Sequence, residues 1–161
     1  MNQESGMLFL TMRINEAKIT YTDTGFRAAT GEFSGPEQFY GFAKTVVAGD
    51  ETSVTLILTN RKNKPYKVIP MGKGTDAIDE ITARRVFTEA IRHSAAALLI
   101  AVDSKNTENL TLSTTLTKMR EIRGASKKIG IDMLDVIVFN SLNKTSYGDE
   151  GYYSYAESGL V

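Results

Sequence analysis

The central part of the chain changes from a helical to a continuous apolar pattern within twenty residues. Residues 83–93 place apolar side chains at the spacing of one helical face, with charged side chains on the other. The apolar positions are Val86, Phe87, Ala90 and Ile91. Residues 95–102 then form an unbroken apolar run, which is typical of a central strand buried on both faces. A helix that leads directly into a buried strand predicts an α/β or α+β domain.

The same two patterns predict the other elements of the chain. Strands are predicted at residues 7–12, 17–21, 51–59, 66–71, 95–102, 133–139 and 152–155. Helices are predicted from Ser34 to about residue 48, over residues 83–93 and over residues 113–128. The resulting order, ββαββαβαββ, predicts a single α/β (α+β) domain with a mixed central sheet flanked by helices.

Local residue types indicate where several of these elements begin and end. Ser34 is the expected N-cap of the first helix, because Pro36 and Glu37 suit its first turn. Pro65 suits the first residue of a strand or a strand at the edge of a sheet. Residues 72–75 read Gly-Lys-Gly-Thr, but they lack the spacing of a phosphate-binding loop. A tight turn is therefore the favoured interpretation of this stretch.

Composition narrows the classes of function. Nineteen basic residues balance nineteen acidic ones over 161 residues, so there is no general positive field for nucleic acid. The chain has no cysteine and one histidine, His93, which leaves little scope for a zinc site. No apolar run reaches the roughly 20 residues of a membrane helix, and residues 7–12 lack the features of a signal peptide. We expect a cytoplasmic protein with no membrane partner.

Four blocks in a fixed order carry a resemblance to a known family. They are Gly74-Thr75 followed by Arg84, Val86 and Phe87; the run Ala95–Ala101; Gly130-Ile131 with Leu134-Asp135; and the ending Gly151–Leu160. Residues 35–161 therefore resemble the RadC-like JAB (MPN) domain, which implies a metalloprotease-type, cytidine-deaminase-like fold. Residues 1–34 are expected to add strands and a loop to the same domain. The opening, Lys18-Ile19-Thr20-Tyr21 and then Pro36-Glu37, is similar to short members without a helix-hairpin-helix module, which implies a DNA-repair or mobile-element context.

The same resemblance implies that the zinc ligands of the family are missing here. The family signature His-Asn-His-Pro-Ser-Gly falls on residues 102–107, so Val102 and Ser104 replace two histidines. The aspartate position falls on Thr115, and the histidine after the family's Leu-Asp pair is Val136. The general-base glutamate falls on Thr52, or on Glu51 if the register slips by one. Valine cannot bind zinc and a neutral hydroxyl binds it poorly, so we expect no cofactor and no metalloprotease activity.

Two interpretations remain open for each remaining polar candidate. Glu51 is a surviving general base or, as favoured, a solvated residue at the start of a strand. Asp103 and Ser104, together with Asp135, are a repurposed cleft; alternatively, the first two belong to an ordinary polar loop and Asp135 is a structural carboxylate. His93 at the end of its helix is expected to complement the helix dipole rather than to act in catalysis.

Basic and aromatic side chains leave open whether the protein binds nucleic acid. Basic residues occupy one turn and one predicted helix, at Arg61, Lys62, Lys64, Lys118, Arg120, Arg123, Lys127 and Lys128. They are either phosphate contacts or, as favoured, a solvated face. The tyrosines of the last strand, Tyr152, Tyr153 and Tyr155, are expected to pack on the sheet rather than to stack on bases.

The leading functional hypothesis is a catalytically inactive domain that acts as an interaction or structural module, with a protein partner or through self-association. Nucleic-acid binding is the alternative. A residual hydrolase that uses Asp103, Ser104 and Glu51 is the least favoured hypothesis.

Overall fold

The computed structural model describes residues 31–47, 49–105 and 108–161. The strands predicted at residues 7–12 and 17–21 lie outside these residues. The described elements are α1 (Pro36–Val46), β1 (Ser53–Thr59), β2 (Pro65–Lys73), α2 (Ala77–Glu80), α3 (Ala83–Arg92), β3 (Ala97–Asp103), α4 (Glu108–Ile129), β4 (Asp132–Phe139) and β5 (Tyr152–Ser154).

One mixed sheet organises these elements, with the strand order β2-β1-β3-β4-β5. Strands β3 and β4 are parallel, whereas the other neighbouring pairs are antiparallel. The mixed-sheet α/β prediction is therefore confirmed. Within the described part of the chain, no helix has the length and apolar character needed to cross a bilayer.

Two apolar layers cover the two faces of the sheet. Val86, Phe87 and Met119 from α3 and α4 pack on one face, and Phe39 and Phe42 from α1 pack on the other. Every residue of β1 and β3 is buried, because both strands lie inside the sheet with helices on either side. This burial on both faces explains the unbroken apolar run that predicted β3.

The start of α1 differs from the prediction. Gly35, not Ser34, is the N-cap, and a glycine has no side chain that could bond to the helix. Instead, the backbone N–H of Ser34 donates to Oε1 of Gln38 at 2.8 Å. The glutamine side chain thus ties the residue before the cap to the first turn of the helix. By contrast, Thr82 caps α3 and accepts a 3.2 Å bond from the backbone N–H of Arg85.

Three further boundaries depart from the sequence pattern. Ile91 is 58% exposed, because the last turn of α3 extends beyond the core that buries Val86 and Phe87. Helix α4 begins at Glu108, five residues earlier than predicted, which shortens the connection after β3. Helix α2 has only four residues, too few to show a helical period.

The two edge strands of the described sheet differ in how regularly they pair with their neighbours. At one edge, β2 carries Pro65 and Pro70, and its register with β1 shifts between Val54 and Thr55. At the other edge, β5 pairs with only the last three residues of β4, Ile137 to Phe139. The first half of β4 therefore has no described strand on its outer side.

Candidate functional site

A buried carboxylate lies where β3 and β4 end together. Asp103, the last residue of β3, has no exposed surface. Its Oδ1 accepts hydrogen bonds from the Lys105 ammonium at 2.6 Å and from the backbone N–H of Ser141 at 2.9 Å. Its Oδ2 accepts the hydroxyl of Ser141 at 2.7 Å. The residues Asp103, Lys105 and Ser141 are hereafter called the strand-end cluster.

Parallel pairing brings this cluster together. Asp103 lies beside Phe139 in the register of β3 and β4, and the backbone N–H of Ser104 donates to the carbonyl of Phe139 at 2.8 Å. The carboxyl ends of adjacent parallel strands meet at one sheet edge, where α/β proteins often place their chemistry. Lys105 and Ser141 were not recognised in the sequence, because the pattern does not show which strands are neighbours.

The strand-end cluster is satisfied internally. The Lys105 ammonium also donates to the hydroxyl of Ser141, which in turn donates to Asp103. Both carboxylate oxygens therefore accept bonds from within the cluster, and the serine hydroxyl both donates and accepts. The arrangement ties the loop after β3 to the loop after β4. It supports a structural role more than a hydrolytic one, because the serine hydroxyl is held between two fixed partners.

Asp135 lies apart from Asp103 and Ser104. Asp135 pairs with Leu99, whereas Asp103 pairs with Phe139. Because Asp135 comes four residues before Phe139 on β4, the two carboxylates are about 13 Å apart along the strand direction. The oxygens of Asp135 accept the Ser154 hydroxyl at 2.6 Å and the backbone N–H groups of Val136 and Ala156 at 2.6 and 3.0 Å. Burial raises the pKa of this carboxyl, and the same hydrogen bonds offset part of the rise. Asp135 anchors the turn after β5.

The positions that the resemblance assigns to zinc ligands are closed inside the protein. Val102, Ser104 and Thr115 have no exposed surface. Val102 belongs to the same apolar cluster as Met119 and Tyr155. Burial raises the pKa of the Tyr155 phenol, and the neighbouring Thr115 lowers that pKa in part. Within the described residues, the Thr115 hydroxyl oxygen is buried without a hydrogen-bond partner.

The two candidate general-base positions have different surroundings. Glu51 is exposed ahead of β1, as its solvated interpretation predicts. Thr52 is buried, and its Oγ1 accepts the backbone N–H of Lys105 at 3.0 Å. The hydroxyl at position 52 thus holds the chain in place just after β3. Neither residue presents a carboxylate to the positions of Val102 and Ser104.

His93 is the C-cap of α3. Its Nδ1 lies 3.0 Å from the carbonyl oxygen of Glu89 and 3.7 Å from the Glu89 carboxylate. Its own carbonyl accepts the Tyr66 hydroxyl at 2.7 Å. These contacts support the expected capping role. At residues 72–75, Gly72 and Lys73 belong to β2, and the chain turns at Gly74, where φ is +91°.

Some basic side chains are held by the protein itself. The Lys118 ammonium donates to the carbonyl of Asp79 at 3.1 Å, and Arg123 donates to the carbonyl of Met133 at 3.4 Å. Others are exposed, namely Arg61, Lys62, Lys64, Arg120, Lys127 and Lys128. Arg61 and Gly130 line one polar cavity of about 510 Å³, so the basic turn and the end of α4 lie at the same end of the molecule.

The final tyrosines pack within the protein. Tyr152 lies against Tyr40, with ring centroids 4.8 Å apart, and Tyr153 meets Tyr155 edge-on at 5.5 Å. Burial raises the pKa of Tyr152 to about 12, with a further contribution from Glu150. Because Tyr152 and Tyr155 are buried, their rings do not present open faces for base stacking.

Residues 33–160 match the sequence model of the RadC-like JAB domain. The chain belongs to the RadC-like JAB domain family. Among curated proteins, the chain is 25% identical over 130 residues to a UPF0758 protein of Trichlorobacter lovleyi. The aligned region is 80% of this chain and 53% of that protein. A UPF0758 protein of Symbiobacterium thermophilum is 31% identical over 106 residues, 66% of this chain and 42% of that protein. The chain spans about half the length of the curated relatives it matches.

The residues of this RadC-like JAB domain do not fit a zinc ion at the family position. Within residues 31–47, 49–105 and 108–161, no group of three histidine, cysteine, aspartate or glutamate side chains is placed to hold a metal. The side chains at the three ligand positions are one isopropyl group and two neutral alcohols. Zinc in proteins is bound by thiolate, imidazole and carboxylate groups, which these positions do not supply.

Proposed function

We propose that this RadC-like JAB domain is a catalytically inactive, cytoplasmic protein that acts as an interaction or structural module. The observation that supports the proposal is the complete burial of Val102, Ser104 and Thr115. A hydrolytic metal centre needs ligands and an open coordination position for water. Neutral side chains without solvent access provide neither requirement.

Tyr155 gives further support. Its phenol is buried near Thr115, which stands at the position that the resemblance assigns to a metal ligand. Burial favours the neutral form of that phenol, so the interior around Thr115 offers a cation no anionic oxygen from Tyr155.

Metal content tests the proposal. The full chain, purified without chelator and dialysed against excess zinc and then metal-free buffer, is analysed by atomic emission. We expect well under one zinc per chain, because the site lacks ligands. His93→Ala removes the chain's single imidazole and controls for zinc held there. Stoichiometric zinc in both proteins, or peptide or isopeptide cleavage that a chelator abolishes, would contradict the proposal.

A second candidate function is nucleic-acid binding, in the DNA-repair or mobile-element context that the resemblance implies. It is favoured by the position of Arg61 and of the end of α4 around one polar cavity. Binding through Lys127 and Lys128 should weaken steeply with added salt, because phosphate contacts release counterions. The variant Lys127→Glu/Lys128→Glu should abolish binding to duplex DNA, whereas Lys118→Gln, at a lysine already bonded to Asp79, should preserve it. The absence of binding at low salt would rule out this candidate.

A further inference from the structure

A second cavity lies on the α1 side of the sheet, away from the strand-end cluster. Its volume is about 360 Å³, within the roughly 300–1,000 Å³ of typical ligand sites. Its apolar lining consists of Phe33, Phe39, Leu99 and Leu134. These four side chains can hold an apolar ligand body. The space is hereafter called the α1 cavity.

The charged residues that line this cavity are acidic, and Ser34 and Asn63 are its neutral polar lining. Asp135 and Glu157 both line it, and no lysine, arginine or histidine is among the described residues that do. Asp135 is 4% exposed, whereas Glu157 lies exposed on the turn after β5. A cation beside them would further offset the cost of burying the Asp135 carboxylate, whose oxygens already accept three hydrogen bonds.

The short pairing of β5 explains why the cavity exists. Strand β5 covers only Ile137 to Phe139, so Leu134 and Asp135 lie on the half of β4 beyond it. The turn that follows β5 brings Ala156 and Glu157 to the cavity instead of a continued strand. Leu134 consequently stays partly exposed, although the second half of β4 is buried.

We propose that the α1 cavity binds a lysine or arginine side chain of a protein partner. The aliphatic stem packs on Leu99 and Leu134, and the cationic end lies beside Glu157 and Asp135. Long basic side chains suit such a site, because they combine an apolar stem with a charged head. The inference rests on the proposed interaction role for the kind of partner, but it does not depend on whether the domain binds zinc.

A pair of matched probes tests this site. The full chain, labelled at leucine methyl groups, is titrated with Nα-acetyl-lysine N-methylamide and with its norleucine counterpart, which lacks the ammonium. We expect the lysine probe to shift the methyl signals of Leu99 and Leu134. Its dissociation constant should be lower than that of the norleucine probe by about fivefold, as for a single exposed ion pair.

Charge variants complete the test. Glu157→Gln should weaken lysine binding by about threefold, because it removes the exposed carboxylate of the cavity. The matched change Glu121→Gln, on α4 across the sheet, should leave binding unchanged. The inference is overturned if neither leucine signal moves at millimolar probe, if norleucine binds as tightly as lysine, or if Glu157→Gln has no effect. The zinc measurement is independent of all three outcomes.

Discussion

Ser141 donates two hydrogen bonds to the buried carboxylate of Asp103, one from its backbone and one from its hydroxyl. Ser141→Ala keeps the first bond and removes the second, together with the contact to Lys105. We expect the free energy of unfolding to fall by about 1–2 kcal/mol, as for a hydrogen bond to a charged group. Urea denaturation measures the loss. Thr88→Ala, at an exposed position of α3, should change stability little, and an equal loss there would show that the bond to Asp103 is unimportant.

Gly151 should tolerate no side chain. Its φ is +82°, and an added Cβ would lie 2.9 Å from the hydroxyl oxygen of Tyr40 and 3.0 Å from the carbonyl of Lys144. Gly151→Ala should therefore lower the free energy of unfolding by about 2–3 kcal/mol, from backbone strain and overpacking together. Gly159→Ala is the matched control, because φ is +68° there and nothing lies within 4 Å. It should cost only the backbone part, about 1 kcal/mol. Equal losses at both sites would contradict the packing argument.

The pKa of Asp135 predicts a direction of pH dependence. Burial raises this pKa above its ordinary value of 3.8, so between the two values the folded protein binds the proton more tightly than the unfolded chain. This contribution to stability is present below the ordinary pKa and is lost as pH rises through the raised one. Asp135→Asn removes the carboxyl group that titrates. Its stability relative to the wild type should therefore improve as pH rises from about 4 to 7. A difference that is constant with pH, measured by urea denaturation, would contradict the assignment.

Thr82 and Ser34 should respond differently to the same kind of truncation. Thr82 caps α3 through its hydroxyl, so Thr82→Ala should lower the free energy of unfolding by about 1 kcal/mol. Ser34→Ala should have little effect, because Gly35 is the N-cap of α1 and Ser34 uses only its backbone N–H there. Thermal unfolding distinguishes the two variants. A larger loss from Ser34→Ala than from Thr82→Ala would reverse this assignment of the caps.

The fold was largely predictable from periodicity. The strands around Leu56 and Ile100 and the helix around Phe87 follow from apolar spacing, because burial imposes that spacing directly. Ile91 shows the limit of the pattern, since it has the correct spacing but lies past the end of the core. A helical period identifies a face but not how far the opposing surface extends.

The candidate site was less predictable, because its geometry depends on which strands are neighbours. Asp103 stood out in the sequence as a polar residue after a buried strand, whereas Ser141, 38 positions later, did not. The parallel pairing of β3 and β4 joins them, and the same register separates Asp103 from Asp135. The signal that could have found Ser141 is a polar residue within two positions of the end of the next parallel strand.

The prolines and the register shift of β2 also govern how copies of the protein can associate. Pro65 and Pro70 cannot donate backbone hydrogen bonds, and the irregular register disturbs the flat edge that a further strand would need. Another molecule therefore has no regular template for extending the sheet at this side. Extension of the described sheet by a strand of another copy is therefore disfavoured at the β2 edge.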